Sequence, residues 1–230
     1  MFPWLKWIIV RLHGGFLRLK SPSLPLPRQT HHSSKSNWLW REHIAVVSSS
    51  VPAAPHLYVD GSLQPDGSAG CAVYSLDVAP PEEGWVGRRL PNLSNSTYCE
   101  LQGLLLAVSL LCQRRLNGVV MFDSQSALQA ISSPQPTHRC LVHQIVLQLV
   151  AARDNYLTIL FLWIPSHVGI AANDKVDLLT KIACGLPLPD GATPSHLCFK
   201  KIIHSAALFS TARTLSGLRV CLYSITTTSV

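Results

Sequence analysis

The sequence has few charged residues and lacks the patterns that mark several non-globular classes. Charged residues make up 13% and hydrophobic residues 47% of the 230 residues, which excludes an acidic disordered chain and a coiled coil. Lys6 and Arg11 interrupt the apolar N-terminal stretch, so we expect no membrane span. No repeat of solenoid length is visible. The length therefore indicates one globular domain with tails, or two small domains.

The cysteines of this sequence do not form the patterns that bind zinc or build a disulfide framework. The seven cysteines are an odd number, and no two of them form a Cys-x-x-Cys pair. We therefore expect reduced thiols that serve as small core residues in an intracellular protein, nuclear or cytoplasmic.

Acidic residues are absent before Glu42, and the charge then changes sign along the chain. Residues 1–54 hold 7 Lys/Arg and 1 acid, residues 55–185 hold 8 and 10, and residues 186–230 hold 4 and 1. We predict that 1–54 is a basic, poorly ordered Pro/Ser-rich tail or linker and that 55–185 is the folded domain. The extension 186–230 has an apolar stretch at 197–218 that suits one helix. The acid-free N-terminus also suits a mitochondrial transit peptide, a basic tether or part of a polyprotein.

Within residues 55–185 the hydrophobic pattern switches between the periods of strands and helices. Strands are predicted at 56–60, 69–76, 84–90, 119–123 and 157–163. Helices are predicted at 97–116, 124–131, 139–153 and 176–183. Three antiparallel strands followed by two βα crossovers predict an α/β fold with a mixed five-stranded sheet and helices on both faces.

Four acidic residues fall at the ends of these predicted elements. Asp60 and Asp123 end strands, Glu100 lies in the first turn of the long helix, and Asp177 opens the final helix. Each has a structural explanation when taken alone: a turn at Asp60, a capping box from Thr97 to Glu100, an N-cap at Asp123 and a helix-dipole acid at Asp177.

Taken together, the four acids favour a metal site. If the first and fourth strands of the domain are neighbours in the sheet, the carboxylates meet in one cleft. Each pair of like charges about 4 Å apart then costs on the order of 4 kcal/mol at an effective dielectric near 20, and bound cations remove that cost. Two Mg²⁺ ions held by carboxylates are the usual apparatus for in-line displacement at phosphorus. The pattern therefore predicts phosphoryl-transfer chemistry.

Four short segments resemble the ribonuclease H family in order and spacing, most closely the domains found in non-LTR retrotransposons. They are Tyr58-Val59-Asp60-Gly61-Ser62, Tyr98-Cys99-Glu100-Leu101, Phe122-Asp123-Ser124-Gln125-Ser126-Ala127-Leu128 and Trp163-Ile164-Pro165-Ser166-His167-Val168-Gly169-Ile170. The resemblance covers residues 55–185. It implies a ribonuclease H-like fold and endonucleolytic hydrolysis of the RNA strand of RNA/DNA hybrids, with no small-molecule cofactor. Two alternative functions remain open: an inactive, nucleic-acid-binding relic, and a transposase or integrase of the same superfold, which the histidine loop and the final-helix acid disfavour. The sequence also leaves open whether the domain stands alone or follows a reverse transcriptase in a polyprotein.

The resemblance also assigns roles to individual residues. Asp60, Glu100, Asp123 and Asp177 correspond to the carboxylates that hold two Mg²⁺ ions, for which Mn²⁺ can substitute. His167 corresponds to a loop histidine that assists proton transfer or product release, a task that suits histidine near neutral pH. Contacts with the RNA strand are implied for five residues that also suit turns and helix caps: Gly61, Ser62, Ser96, Thr97 and Gln125.

Two features depart from the family pattern. Where the family has Gly-Asn-Glu-x-Ala-Asp, this chain has Ala172-Asn173-Asp174-Lys175-Val176-Asp177, so we expect Ala172 in the loop before the final helix. Asp174 is an alternative ligand, but the ten-residue spacing from His167 favours Asp177. The chain also lacks a Lys-rich helix between Asp123 and Trp163, which leaves hybrid binding to the groove and the basic tails.

Overall fold

The computed structural model describes residues 9–13, 16–20, 44–45, 51, 53–78, 84–92, 94–133 and 136–192. In this part of the chain, seven strands and four helices follow one another in the order β1 (Ile9–His13), β2 (Phe16–Lys20), β3 (His56–Leu63), β4 (Ala69–Tyr74), β5 (Trp85–Leu90), α1 (Ser96–Arg114), β6 (Gly118–Phe122), α2 (Gln125–Ser132), α3 (Arg139–Asp154), β7 (Ile159–Trp163) and α4 (Ala171–Ala183).

Strands β3 to β7 form a mixed five-stranded sheet with the order β5-β4-β3-β6-β7. Strand β4 is antiparallel to both β3 and β5. Strand β6 is parallel to both β3 and β7, as expected for strands joined by helical crossovers. Every residue of β6 and β7 is buried, which explains why both strands are continuous apolar runs. The predicted α/β fold class is confirmed.

Helices cover both faces of the sheet. One face of the central strands packs against α1 and α3, in a core that contains Leu57, Val59, Leu104, Leu111, Phe122, Ile145 and Phe161. The other face packs against α4, where Ala72 of β4 meets Val176 and Leu179. Strand β3 therefore alternates between the two layers, and its even-numbered residues Tyr58 and Asp60 lie on the α4 side.

Two helix starts differ from the prediction. Helix α1 is capped by Asn95, whose Oδ1 accepts from the Tyr98 amide at 2.7 Å, so the capping box from Thr97 to Glu100 is wrong. Glu100 consequently lies in the second turn. The cap of α2 is Ser124 rather than Asp123, because the Ser124 hydroxyl accepts from the amide of Ala127 at 3.2 Å.

Helix α4 begins at Ala171, five residues before the predicted start. The amides of Asn173 and Asp174 both bond to the carbonyl of Ile170, which closes a first turn that includes Ala172. Asp177 is therefore in the second turn of α4 and does not open the helix. The expectation that Ala172 lies in the preceding loop is also wrong. Burial of Asn173 against the sheet accounts for the longer helix, because tertiary contacts override local propensity.

The N-terminal region contains an antiparallel hairpin that the sequence patterns did not predict. Strands β1 and β2 pair from Ile9 with Lys20 to His13 with Phe16. They lie in residues 1–54, for which we predicted a poorly ordered tail. The Pro/Ser-rich residues 21–43 and the predicted helix at 197–218 lie outside the described residues. The chain divides into two units, Met1–Ala192 and Thr193–Val230, and the strands and helices described above all lie in the first.

The described cysteines are free thiols, as expected. Cys71, Cys99 and Cys184 are buried, Cys112 is half-buried and Cys140 is exposed. Within the described ranges, no helix has both the length and the apolar character that crossing a membrane requires.

Candidate metal centre

Strands β3 and β6 place two carboxylates side by side. Their parallel pairing runs from His56 with Val119 to Val59 with Phe122. Asp60 and Asp123 follow the last paired residues of the two strands. Strand β6 ends before Asp123, whereas β3 runs on to Leu63 alongside β4, so the prediction that a turn ends the strand at Asp60 is wrong. Beyond Val59, β3 therefore pairs with β4 alone. The carboxyl ends of parallel strands are where open α/β sheets bind their ligands.

A close contact between β3 and α1 brings a third carboxylate to these two. A Cβ on Gly61 would overlap the backbone of Cys99 and Glu100, and a Cβ on Gly103 would lie 2.6 Å from Val59 Cγ1. The two glycines therefore let the helix backbone rest directly on the strand. This contact places Glu100 of α1 beside Asp60, which lies within β3, so the two side chains are close together.

Asp60, Glu100 and Asp123 form a cluster in which one carboxylate oxygen of each lies within 4.8 Å of the others. Glu100 Oε2 is buried and has no hydrogen-bond partner among the described residues. A buried carboxylate oxygen without a donor is costly unless a proton or a cation occupies the space beside it. The donor set is all oxygen, which suits hard divalent cations. These three residues can therefore hold a metal ion.

The surroundings of Asp60 disfavour its charged form. Burial raises the pKa of Asp60 to about 6, and the charges of Asp123 and Asp177 add to the rise. The nearby Gly61 amide and Thr180 hydroxyl lower the pKa of Asp60 and so oppose this rise, although the Thr180 hydroxyl itself donates to the Val176 carbonyl at 2.7 Å. Because burial is the largest of these effects, Asp60 is a carboxylate that a nearby positive charge would stabilise strongly.

The surroundings of Glu100 also disfavour its charged form. Burial raises the pKa of Glu100 well above its ordinary value, and the charges of Asp60 and Asp123 raise it further. Two ionised carboxylates at the cluster's spacing repel each other by on the order of 3 kcal/mol at an effective dielectric near 20. The raised pKa of Glu100 favours its protonated form when no cation is near. A divalent ion beside the carboxylate would favour the ionised form instead.

Two side chains that the sequence interpretation missed hold Asp123 in place. Asn173 Nδ2 of α4 donates to Asp123 Oδ2 at 3.0 Å, and Trp163 Nε1 of β7 donates to the Asp123 carbonyl at 2.9 Å. Asn173 is 5% exposed and Trp163 is 9% exposed, so both bonds are shielded from water. Donors behind a ligating carboxylate fix its orientation.

A helical pattern in the sequence signals these supporting residues. Asn173, Asp177 and Thr180 have the spacing i, i+4, i+7, which places three polar side chains on one face of α4. Asn173 and Thr180 are buried, although most asparagines and threonines are exposed. A polar stripe on the buried side of a helix indicates that the facing strands carry polar partners, here Asp60 and Asp123.

Asp177 is near this cluster but is not part of it. Its charge acts on Asp60, yet its carboxylate is outside the group whose oxygens lie within 4.8 Å of one another. Asp177 Oδ2 instead accepts from Lys181 Nζ at 2.8 Å, one turn further along α4. The structure therefore brings three of the four predicted carboxylates together and pairs the fourth with a lysine. Asp174, the alternative ligand, is exposed.

His167 lies in the loop between β7 and α4. Its side chain is exposed and its backbone has a φ of 56°, a left-handed conformation that few residues other than glycine adopt. Among the described residues, it has no hydrogen bond or ion pair with the carboxylates. The imidazole is therefore accessible to a ligand that enters from solvent.

The residues predicted to contact RNA differ in their exposure to solvent. Ser96 and Gln125 are exposed at the first positions of α1 and α2, and Thr97 is half-buried. Ser62 is half-buried, and its hydroxyl accepts from Gln64 Nε2 at 2.6 Å. Gly61 has a structural role in the contact with α1. The contacts with RNA stay predictions.

No model of a known protein family matches this sequence.

Proposed function

We propose that this chain is a divalent-metal-dependent endonuclease of the ribonuclease H type, which hydrolyses the RNA strand of RNA/DNA hybrids. The observation that supports this proposal most strongly is the convergence of Asp60, Glu100 and Asp123, whose carboxylate oxygens lie within 4.8 Å of one another. The three residues come from three different parts of the fold: strand β3, helix α1 and the residue that follows β6. Together with the four sequence segments that resemble the ribonuclease H family, this arrangement favours a nuclease over the structural explanations of the single acids.

The proposed ligands are Asp60, Glu100 and Asp123, with Asp177 at the edge of the site. Mg²⁺ fits these oxygen donors and would supply electrostatic stabilisation of the charge that develops at phosphorus; the proposal includes two ions, with Mn²⁺ as a substitute. The residues of the chain orient the ligands: Asn173 and Trp163 hold Asp123. His167 is available for proton exchange with the attacking or leaving oxygen.

The decisive experiment is cleavage of an RNA/DNA hybrid labelled on the RNA strand, with the full chain and Mg²⁺ or Mn²⁺. We expect cleavage of the hybrid, products with a 5′-phosphate and a 3′-hydroxyl, and no cleavage of duplex DNA. Asp60→Asn should abolish cleavage, because it removes one of the three carboxylates of the cluster. Asp66→Asn is the matched control, since Asp66 lies in the exposed turn between β3 and β4. Cleavage by Asp60→Asn at the unmodified rate would exclude the proposal.

One observation favours a second candidate, a domain that binds hybrids without cleaving them. Asp177 is paired with Lys181 and lies outside the cluster, so three rather than four carboxylates are gathered to hold metal. A decayed retroelement domain that keeps its fold but not a complete metal site would bind hybrids without hydrolysing them. Retarded migration of a hybrid in a gel, with intact RNA after long incubation in Mn²⁺, would support this candidate over the enzyme.

The proposed origin is a non-LTR retrotransposon, in which the domain follows a reverse transcriptase. The basic residues of 1–54 and 186–230 would then strengthen binding to nucleic acid without sequence preference. Replacement of the Lys and Arg residues of either segment by Gln should weaken hybrid binding and reduce its dependence on salt, which a filter-binding titration at several salt concentrations measures.

A further inference from the structure

The ion pair between Asp177 and Lys181 occupies the edge of the carboxylate cluster. Lys181 Nζ lies 2.8 Å from Asp177 Oδ2, and the two residues are one turn apart on α4. The hydrogen bond to Asp177 and the charges of Asp177 and Asp60 raise the pKa of Lys181, so the lysine stays an ammonium throughout the neutral range. Among the described residues, Lys181 is the cation that forms an ion pair with one of the four carboxylates.

The four predicted ligands therefore differ in their access to metal. Asp60, Glu100 and Asp123 face one another, and among the described residues no cation pairs with any of them. Asp177 already has a cation on Oδ2, so a divalent ion that binds this carboxylate must either displace the lysine or accept its positive charge nearby. Both side chains are partly exposed, at 39% for Asp177 and 50% for Lys181, so the pair is weak enough to open.

We propose that Lys181 is a positioning residue that sets the number of divalent ions the cluster holds, by acting as the counter-cation of Asp177. This inference rests on the proposed metal-dependent function. One ion binds among Asp60, Glu100 and Asp123, and a second ion that uses Asp177 binds more weakly because Lys181 opposes it. The lysine thereby makes the site depend on high metal concentration, or on substrate phosphates, to complete a two-ion arrangement.

The test is a Mn²⁺ titration of the full chain followed by electron paramagnetic resonance of the free ion, which gives stoichiometry and affinity without measuring activity. We expect one tight and one weak ion for the unmodified chain. Lys181→Met keeps the length of the side chain and removes its charge, so the second ion should bind about three- to tenfold more tightly. Lys181→Arg should behave like the unmodified chain because it retains the charge.

Two controls separate a local effect from a general change in surface charge. Lys175→Met removes an exposed lysine of the same helix that forms no ion pair with the described residues, and it should leave both affinities unchanged. Adding Asp177→Asn to Lys181→Met should abolish the gain, because the gain acts through that carboxylate. Circular dichroism checks that each variant is folded.

The outcomes separate the two proposals. Two ions of equal affinity in the unmodified chain, or an unchanged second affinity in Lys181→Met, would overturn the role of Lys181 and leave the metal site intact. Absence of any bound Mn²⁺ in the unmodified chain would overturn the proposed function, and this inference with it. A tighter second ion in Lys181→Met alone supports the inference.

Discussion

Asn173 donates a hydrogen bond to the carboxylate of Asp123 across the boundary between α4 and the sheet, with a distance of 3.0 Å from Nδ2 to Oδ2. The bond connects the last helix of the domain to the end of β6. The same side chain also has a carboxylate oxygen within 4.8 Å of oxygens of Asp60 and Glu100. Helix α4 is therefore part of the site even where its own acid, Asp177, is not.

Asn173→Ala should weaken metal binding with little loss of fold. The substitution removes the donor that orients Asp123, and loss of such a partner typically lowers metal affinity by about 10- to 100-fold. Isothermal titration with Mn²⁺ measures the change. Asn92→Ala, at an exposed position between β5 and α1, is the matched control and should bind like the unmodified chain. Equal affinities for the two variants would show that the bond has no role in the site.

The contact of α1 with β3 predicts that Gly61→Ala destabilises the domain. An added methyl group would overlap the backbone of Cys99 and Glu100, and backbone atoms can move apart only if the helix shifts. Overpacking of this kind costs about 1–3 kcal/mol in the free energy of unfolding, and here it also moves Glu100 away from Asp60. Urea denaturation measures the stability, and Mn²⁺ titration measures the site.

Gly185→Ala provides the control for this prediction. A Cβ there would be 3.4 Å from the Ile182 carbonyl, which is ordinary contact, so the variant should retain its stability. If Gly61→Ala and Gly185→Ala unfolded at the same urea concentration, the close approach of helix and strand would not be required.

The buried carboxylates predict an unusual pH dependence for the metal-free protein. Burial and neighbouring charge raise the pKa of Asp60 from 3.8 to about 6, so the folded state binds its proton more tightly than the unfolded state does. Stability from this group is therefore greatest below about pH 4 and falls as the pH rises to about 6, by at most about 3 kcal/mol. A bound divalent ion should restore the stability that is lost as the pH rises.

The measurement is the difference in unfolding free energy between the unmodified chain and Asp60→Asn, in a chelator, from pH 4 to pH 7. Taking the difference removes the titration of groups that the two proteins share. The difference should shift in favour of the asparagine variant as the pH rises. A pH-independent difference would show that Asp60 is not buried among like charges.

The sequence patterns predict the sheet well because its strands and crossovers carry strong, separate periodicities. The continuous apolar runs of β6 and β7 are short and are typical of buried strands. The register seen in the structure then places Asp60 beside Asp123. Helix ends were less predictable. Asn95 and Thr97 are both good caps, and the choice between them depends on how α1 meets β3.

The sequence revealed only some of the residues of the site, because the others are identified by tertiary packing. Three acids at the ends of predicted elements were found because each follows or opens an apolar run. Asn173 and Trp163 were missed as supports, because their partners are about 50 and 40 residues away along the chain and only the packing of α4 and β7 reveals them. The pairing of Asp177 with Lys181 is an i, i+4 contact, and both residues lie in the predicted helix 176–183, so the sequence did carry this signal.

Trp163 supports the site from β7, and Trp163→Phe should show this. The indole Nε1 donates to the carbonyl of Asp123 at 2.9 Å, and phenylalanine keeps an aromatic ring in the core while it removes that donor. A buried carbonyl left without its partner costs about 1–3 kcal/mol, so both stability and Mn²⁺ affinity should fall. Trp85→Phe, in the edge strand β5, loses similar ring area but no hydrogen bond seen in the described part of the chain. Thermal unfolding with and without Mn²⁺ distinguishes the two variants. We expect the metal-induced rise in Tm to be smaller in Trp163→Phe and unchanged in Trp85→Phe. An equal rise in both variants would show that Trp163 contributes only to core packing.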